Sequence, residues 1–141
     1  MPYQKTFNAS QSLAAQEAVI SLNQVRLLND QSELAVVGLQ DFLKTSPDVQ
    51  FQAPAQALLG RALENAKRPG EAAKAYLAAV EAAQDDYLKA DYLLDAGRAF
   101  TDAGEKDKAA DAFRRIVKDF SKTSAGTEAL VRLAEVTAGA M

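Results

Sequence analysis

The sequence contains no cysteine, no histidine and no tryptophan, and only four prolines and seven glycines in 141 residues. The first two absences exclude disulfide bonds, thiolate or imidazole metal sites, cysteine nucleophiles and every histidine-dependent catalytic triad. The lack of cysteine fits both the cytoplasm and an oxidising compartment, so it does not decide between them. The scarcity of proline and glycine removes the residues that most often interrupt helices.

The charge and hydropathy of the chain disfavour two large classes of partner. The formal net charge is −3, whereas a protein that binds nucleic acid or anionic lipid normally presents a basic face. No apolar run approaches the roughly 20 residues that cross a bilayer, and Met1–Ser10 has no apolar segment typical of a signal peptide. We therefore expect a soluble chain without nucleic-acid binding or direct membrane insertion, although a removed N-terminal segment would leave no trace.

The residues that are present favour a single all-α domain. A chain of 141 residues can bury a hydrophobic core, and 48% apolar and 25% charged residues are ordinary values for a globular protein. Alanine, leucine, glutamate, glutamine, lysine and arginine dominate, and all are good helix formers. Residues 1–8 lack periodicity, so we predict a flexible lead-in there and one domain over residues 9–140.

One apolar pattern occurs three times at intervals of 37 residues. Its offsets of i, i+3, i+4, i+7 and i+8 place the apolar residues on one side of a helix. The bulky residue at i+4 is Leu39, Tyr76 or Phe113, always beside a glycine or an alanine. We interpret this pattern as an internal repeat. Its copies are Ala35, Gly38, Leu39, Phe42 and Leu43; Ala72, Ala75, Tyr76, Ala79 and Val80; and Ala109, Ala112, Phe113, Ile116 and Val117.

A second apolar pattern repeats between those copies, again at intervals of 37 residues. Small residues at several of its positions would allow two helix axes to approach closely. Its first members are Leu22, Leu59, Ala96 and Leu133, and the residues after them are Asn23, Gly60, Gly97 and Ala134. The companion sets are Ala18, Leu22 and Val25; Ala55, Leu59 and Ala62; Tyr92, Ala96 and Ala99; and Ala129, Leu133 and Val136.

Capping and turn residues divide these patterns into seven predicted helices. Asn8 or Ser10 is expected to cap the first helix, and Gly104 to end the fifth in a left-handed conformation. Proline is tolerated in a first turn, so the third helix is predicted to begin near Pro54. The remaining predicted limits are Leu28 for the first helix, Thr45-Ser46-Pro47 for the second, Lys67 for the third, Pro69 to Ala83 for the fourth, Asp85 or Asp86 to Ala103 for the fifth, Glu105 to Phe120 for the sixth, and Ser124 to Gly139 for the seventh.

Two alternating kinds of helix joined by short turns predict a stack of antiparallel pairs. Each pair leaves an apolar face that only its neighbour can cover, so the array grows as an α-solenoid and ends in a cap. The predicted units are residues 12–48, 49–86 and 87–123, with the seventh helix, at about residues 124–140, as the cap.

The repeat residues resemble those of the tetratricopeptide repeat (TPR) family over roughly residues 12–139. The resemblance is carried by Leu59-Gly60 with Ala72, Tyr76 and Ala79; by Ala96-Gly97, Phe100 and Gly104 with Ala109 and Phe113; and by Ala35, Leu39, Phe42 and Pro47. It implies a right-handed α-solenoid of three TPR-like helix pairs plus a C-terminal capping helix. This chain departs from the family in its period of 37 rather than 34, in lacking the early aromatic residue, and in having Asn23 where a small residue is usual.

Long units with endings such as residues 118–124, followed by Glu128-Ala129-Leu130, look like bacterial cell-envelope TPR proteins. Those proteins include ancillary subunits of the Sec translocon, the Tol-associated coordinator of envelope constriction and the lipoprotein of the outer-membrane assembly machine. The resemblance implies a periplasmic scaffold, in many cases tethered by an N-terminal anchor that this chain lacks. A cytoplasmic location is the alternative.

The resemblance also implies that the first helix of each pair lines a concave groove. The equivalent groove positions form a ladder of Gln24, Arg61, Arg98 and Glu135. Arg61 and Arg98 could hold a partner's carboxylate through paired hydrogen bonds. Alternatively, both are solvated arginines that balance the charge of the nearby acids Glu64, Asp95 and Asp102.

Further groove positions are apolar and are expected to form an exposed strip, of the kind that often marks a partner surface. They are Ile20, Leu27, Leu94 and Val131. A first helix or an N-terminal tail carrying Tyr3 and Phe7 would cover this strip in the alternative interpretation. The chaperone-type clamp for acidic C-terminal peptides is not expected, because its Lys, Asn and Arg positions hold Ile20, Gln24, Leu58, Asp91 and Asp95.

We predict no catalysis, no metal and no cofactor. The carboxylates of Asp41, Asp85 and Asp86 have no histidine or metal cluster beside them, and capping or solvation explains them. The aromatic residues Phe100 and Phe113 lie on core stripes rather than on a base-stacking surface. The prediction is a scaffold that binds a protein or peptide in its groove or through its open ends. A self-associating module, such as a homodimer, is the alternative, and an enzyme has no constellation to support it.

Overall fold

The computed structural model describes residues 12–138. Within that range the chain forms seven α-helices and no strand, so the predicted all-α class is confirmed. The helices are α1 (Leu13–Leu28), α2 (Ser32–Lys44), α3 (Val49–Asn65), α4 (Pro69–Ala82), α5 (Asp86–Asp102), α6 (Lys106–Asp119) and α7 (Ser124–Ala138). None of these helices combines the length and the apolar character that crossing a bilayer requires.

Each helix packs against the next one along the chain. The linkers are short, for example residues 66–68 and 103–105, so neighbouring helices run antiparallel. Contacts also form two helices apart, between α1 and α3 and between α5 and α7, whereas the backbones of α3 and α5 approach less closely. The result is a repeat-like helical array with mainly local contacts.

The turns that separate paired helices repeat in backbone geometry at intervals of 37 residues. Asp30, Lys67 and Gly104 have φ angles of 59°, 65° and 77°, in the left-handed region. The residue after each turn donates its backbone N–H to the carbonyl five residues before it, as in a Schellman motif. These hydrogen bonds are Gln31 to Arg26 at 2.8 Å, Arg68 to Leu63 at 2.8 Å and Glu105 to Phe100 at 2.9 Å. The sequence repeat is therefore matched by a backbone repeat.

Two predicted helix starts need comment. The prediction that α3 begins near Pro54 is wrong, because the helix begins at Val49 and runs through the proline. Pro54 has no N–H to donate to the preceding turn, and the helical hydrogen bond that is lost lies close to the start of α3. In the same region, Gln52 donates a side-chain hydrogen bond of 2.9 Å to the Pro47 carbonyl. Helix α1 is capped by Ser12, whose hydroxyl accepts from the Ala15 N–H at 3.0 Å. The predicted caps Asn8 and Ser10 lie outside the described residues.

The bulky residues of the first pattern all lie in the core, as predicted. Leu39, Tyr76 and Phe113 have 0%, 4% and 1% of their surface exposed. The aromatic rings fit against glycines on the preceding helix. A Cβ atom added to Gly60 would lie 2.7 Å from the Tyr76 ring, and one added to Gly97 would lie still closer to the ring of Phe113. These positions need glycine for contact, not for backbone conformation.

The first unit makes the corresponding contact with a different pair of residues. Asn23 on α1 replaces the glycine and is fully buried, and the residue that makes room for it is Gly38 on α2. A Cβ atom on Gly38 would lie 2.6 Å from the Asn23 side-chain oxygen. The Asn23 amide donates to the Val19 carbonyl at 2.9 Å, and its oxygen accepts from Arg26 at 3.0 Å. The departure of Asn23 from the family pattern is therefore compensated within the same helix pair.

The first unit also shows an uncovered end. Leu22 and Val25 are 48% and 51% exposed, whereas their equivalents Leu59 and Ala62 are 7% and 0% exposed. The difference arises because α3 packs on α1 and α2, while no described helix precedes α1. The inner face of α7 is covered, as expected of a last helix, since Ala129 and Val136 are buried against the array.

Candidate functional site

A groove of about 530 Å³ lies between α3, α5, α6 and α7. Its floor is formed by Phe113 and Val136, and its walls carry six charged side chains. The charged residues are the acids Glu64, Asp102 and Glu135 and the bases Arg98, Lys106 and Arg132; Thr101 completes the lining. We call this depression the charged groove.

The structure places the four ladder residues on the exposed faces of the odd-numbered helices. Gln24, Arg61, Arg98 and Glu135 lie on α1, α3, α5 and α7, and each is exposed. Arg98 and Glu135 both line the charged groove, whereas Gln24 and Arg61 do not. Only the two C-terminal ladder residues therefore lie in the same groove.

Arg98 is held by a neighbouring carboxylate. Its guanidinium donates a hydrogen bond to Asp95, one turn earlier on α5. Partial burial raises the pKa of the Asp95 carboxyl above its ordinary value, and the positive charge of Arg98 opposes that effect. Glu64 and Asp91 add to the rise because they are negative and close. The α3–α5 side of the groove is therefore crowded with acidic groups.

Arg132 occupies the opposite wall on α7. It donates to Glu128 at 3.4 Å and to Glu135 at 3.3 Å, and its side chain remains 43% exposed. Lys106, at the start of α6, faces the same groove. Because these pairs lie at an open surface, each contributes little to stability and can exchange for a ligand's charges.

Tyr76 connects the core to the edge of the groove. Its ring is buried against Gly60, and its hydroxyl donates a hydrogen bond to the Glu64 carboxylate. Burial, followed by the hydrogen bond to Glu64, raises the pKa of the Tyr76 hydroxyl far above its ordinary value. The tyrosine is therefore a neutral donor that orients one groove carboxylate.

The predicted apolar strip is only partly exposed. Leu94 is 9% exposed and belongs to the core, so its expected exposure is wrong; the helices packed on α5 cover this face. Ile20 and Leu27 are half-buried against the core cluster. Val131 is 56% exposed on the outer face of α7, outside the lining of the charged groove.

Sequence reasoning missed three groove residues, namely Thr101, Lys106 and Arg132. Arg132 lies three residues before the ladder residue Glu135, so the helical period could have suggested it. Lys106 lies on an even-numbered helix, which the ladder argument did not consider. Its place in the groove depends on how α6 begins beneath α5 and α7.

The chemistry of the groove is that of a polar, mixed-charge surface. Among residues 12–138, no group of three or more potential carboxylate, thiolate or imidazole ligands is arranged to hold a metal ion. The groove is open, Arg98 and Arg132 already pair with acids, and its floor is apolar. Such a surface suits an extended or helical polypeptide with charges of both signs.

No protein-family model matches this sequence, and no curated protein shows significant similarity to it.

Proposed function

We propose that this chain is a non-catalytic scaffold that binds a partner protein or peptide in the charged groove. The proposed architecture is a right-handed α-solenoid of three TPR-like helix pairs closed by α7. The 37-residue spacing of the left-handed turns at Asp30, Lys67 and Gly104 supports this architecture. The single observation that carries the function is that two ladder residues, Arg98 and Glu135, meet in one open groove.

The partner segment carries charges of both signs. Three acids and three bases line the groove, so a strongly acidic tail would meet Glu64, Asp102 and Glu135 as well as the bases. A segment with a carboxylate near Arg98 or Arg132 and an amine near Glu64 matches the lining better. An apolar side chain between them would cover Phe113 and Val136 on the floor.

Reversal of the groove's basic charges tests this proposal. The purified chain serves as bait in a pull-down from envelope extracts, beside the variant Arg98→Glu/Arg132→Glu. The matched control is Arg114→Glu, an exposed arginine on α6 that pairs with Asp111 and lies outside the groove lining. A groove partner is recovered by the native chain and by the control but is lost with the double variant. Equal recovery by all three proteins would contradict the proposal.

We place the scaffold in the bacterial periplasm, held there by an N-terminal anchor outside this chain. The support is the resemblance of the long repeat units to envelope TPR proteins. Fractionation of cells that express the gene with its upstream sequence distinguishes a periplasmic from a cytoplasmic protein.

Self-association is the second candidate, and one observation favours it. Leu22, Val25, Leu34 and Val37 are each about half exposed on the α1–α2 pair, and the positions equivalent to Leu34 and Val37 hold charged residues in the later units. Two copies that meet through the α1–α2 pair would remove these side chains from water. Light scattering from micromolar to millimolar concentration decides, since a monomer at all concentrations rules out this candidate.

A further inference from the structure

The outer face of α7 is apolar, although it lies at the end of the array. Leu130 and Val131 are each 56% exposed, and Thr127 and Ala134 beside them are also exposed. These four residues have offsets of i, i+3, i+4 and i+7 and therefore form one stripe along the helix. An exposed apolar stripe of this kind indicates a surface on which a further element packs.

The repeat shows what covers the same stripe elsewhere in the chain. The equivalent residues of α5, 37 positions earlier, are all buried, and α6 packs on α5 with its Phe113 ring against Gly97 of this stripe. In α3 the equivalent glycine, Gly60, lies beneath the Tyr76 ring of α4. The α5 residues equivalent to the α7 stripe are Ala90, Leu93, Leu94 and Gly97.

We infer that the outer face of α7 is a docking site for one amphipathic α-helix of a partner protein, which takes the place that α6 takes on α5. This site is separate from the charged groove, which Arg132 and Glu135 line from another side of α7. It therefore does not depend on the proposed function of the groove.

The size of the residue at position 134 sets the size of the partner's central side chain. Gly97 admits the Phe113 ring because it has no Cβ atom, whereas α7 has Ala134 at the equivalent position. In the first unit the equivalent residue, Asn23, also has a side chain, and the facing bulky residue there is Leu39. The partner helix accordingly carries leucine rather than an aromatic residue at its centre.

Charge further specifies the partner. Glu81 of α4 pairs with Arg115 of α6 at 3.7 Å, and this ion pair links consecutive even-numbered helices. The position equivalent to Glu81, 37 residues later, is Lys118, an exposed residue of α6. A helix docked on α7 would place an acidic residue opposite Lys118, two positions after its central leucine. Small residues one and four positions before that leucine complete the pattern, as Ala112 and Ala109 do in α6.

A second copy of this chain is a poorer occupant than such a partner. Its uncovered helix α1 offers Leu22 with Ala18 and Ser21 at the required spacings. However, the position for the acidic residue then holds Gln24, so α1 offers no carboxylate to Lys118, and the position that the partly buried Val117 holds in α6 is occupied by Arg26. A charged residue at an apolar contact position disfavours the pairing.

A designed peptide tests the site directly. The probe is an acetylated and amidated peptide with the sequence of residues 106–119, changed by Phe113→Leu and Arg115→Glu and labelled with a fluorophore. Anisotropy should show saturable binding to the intact chain. Leu130→Asp in the protein should weaken binding at least about tenfold, because it puts a charge into the apolar stripe. Val49→Asp, which changes an equally exposed valine on α3, should leave binding unchanged.

A charge exchange gives the second readout. Lys118→Glu should weaken binding of the acidic peptide by about two- to fivefold, as expected for an exposed ion pair. The same protein should bind the peptide that retains Arg115 more tightly than the acidic one. Circular dichroism melting of each variant checks that the substitutions leave the fold intact.

Three results would overturn the inference. The first is no binding of either peptide to the native chain. The second is binding that Leu130→Asp does not reduce. The third is concentration-dependent dimerisation of the native chain that Leu130→Asp abolishes, since that outcome makes a second copy the occupant.

Discussion

The Asp95–Arg98 pair beside the groove contains a carboxylate whose ionisation lowers the stability of the fold. Asp95 is partly buried with 29% of its side chain exposed, and Glu64 and Asp91 lie close to it. Its pKa is raised, mainly by burial, even though Arg98 works in the opposite direction. A carboxylate that is harder to ionise in the folded protein than in the unfolded chain destabilises the fold once it is charged. Such residues are commonly kept for function rather than for stability.

Replacement of Asp95 by asparagine should change the pH dependence of stability. A raised pKa means that the folded state holds the Asp95 proton more tightly, so the contribution of Asp95 falls as pH rises above its ordinary value of 3.8. The free energy of unfolding of Asp95→Asn minus that of the native chain should therefore increase between about pH 3 and about pH 7.

Urea unfolding at several pH values measures this difference. The matched control is Asp111→Asn, which removes one carboxylate of an exposed pair with the same i, i+3 spacing. If the difference for Asp95→Asn does not rise more steeply than that for Asp111→Asn, the pKa argument is wrong.

Single residues also show what the sequence could and could not reveal. The burial of Tyr76 and Phe113 was predictable, because the helical period alone assigns both to the core side. The burial of Asn23 was not, because the residue that makes room for it, Gly38, lies on a different helix. Leu94 was misassigned to an exposed strip for the same reason, since its exposure depends on the other helices that pack on α5.

At the scale of helices, stability is concentrated where bulky residues meet the preceding helix. Phe113 and Tyr76 are almost completely buried against glycines, whereas Arg61 is exposed on α3. Phe113→Ala and Tyr76→Ala should each lower the free energy of unfolding by about 3–5 kcal/mol, and Arg61→Ala should change it by less than about 0.5 kcal/mol. Denaturant titration of the three variants checks this. A cost below about 1 kcal/mol for both aromatic residues would place them outside the core.

The helix boundaries were predictable where a residue type signals them. Gly104 was expected to take the left-handed conformation, and it does so with a φ angle of 77°. Asp30 and Lys67 take the same conformation without glycine, so the repeat spacing is what predicts their left-handed geometry, although the helix ends near them were predictable from turn residues. The start of α3 was misplaced because Pro54 signals a first turn, while the contacts of Gln52 allow an earlier beginning.

At the scale of the whole molecule, the array is unequal from end to end. Helix α1 buries only Gln16 and Asn23 completely, and its apolar residues Leu22 and Val25 remain half exposed. Gln16 still ties α1 to the start of α3, because its side-chain oxygen accepts from the Asp48 N–H at 2.8 Å. The inner helices, by contrast, bury apolar residues on several faces, as α5 does from Ala90 to Phe100. The sequence repeat predicted the inner packing but not which faces stay open.

Hydrogen exchange should reflect this inequality. In a linear array each unit is stabilised by its neighbours, so α1 should open more readily than α4 and α5. Amides in the middle of α1 should be protected at least roughly tenfold less than those of α5, and mass spectrometry or NMR can measure both. Equal protection across all helices would indicate one cooperative globule instead of a repeat array.

The charged groove and the outer face of α7 are two different surfaces that arise from the same repeat. Two charged residues of the groove, Arg98 and Glu135, lie at equivalent positions of successive odd-numbered helices, which the repeat predicts. The outer face of α7 corresponds to the buried face of α5, and no helix within residues 12–138 covers it. Both surfaces are preformed by the stacking, so a partner need not reorganise the backbone to bind.

The central claim is that equivalent residues of successive helix pairs make the same packing contact. A double-mutant cycle on Gly97 and Phe113 tests it most directly, by chemical denaturation of Gly97→Ala, Phe113→Ala and the double variant. In the native background, Gly97→Ala forces a methyl group into the Phe113 ring and should lower stability by about 1–3 kcal/mol. In the Phe113→Ala background the clash is gone, so the same change should raise stability by about 0.5–1 kcal/mol through helix propensity. If Gly97→Ala has the same effect in both backgrounds, the two residues do not pack as the repeat requires.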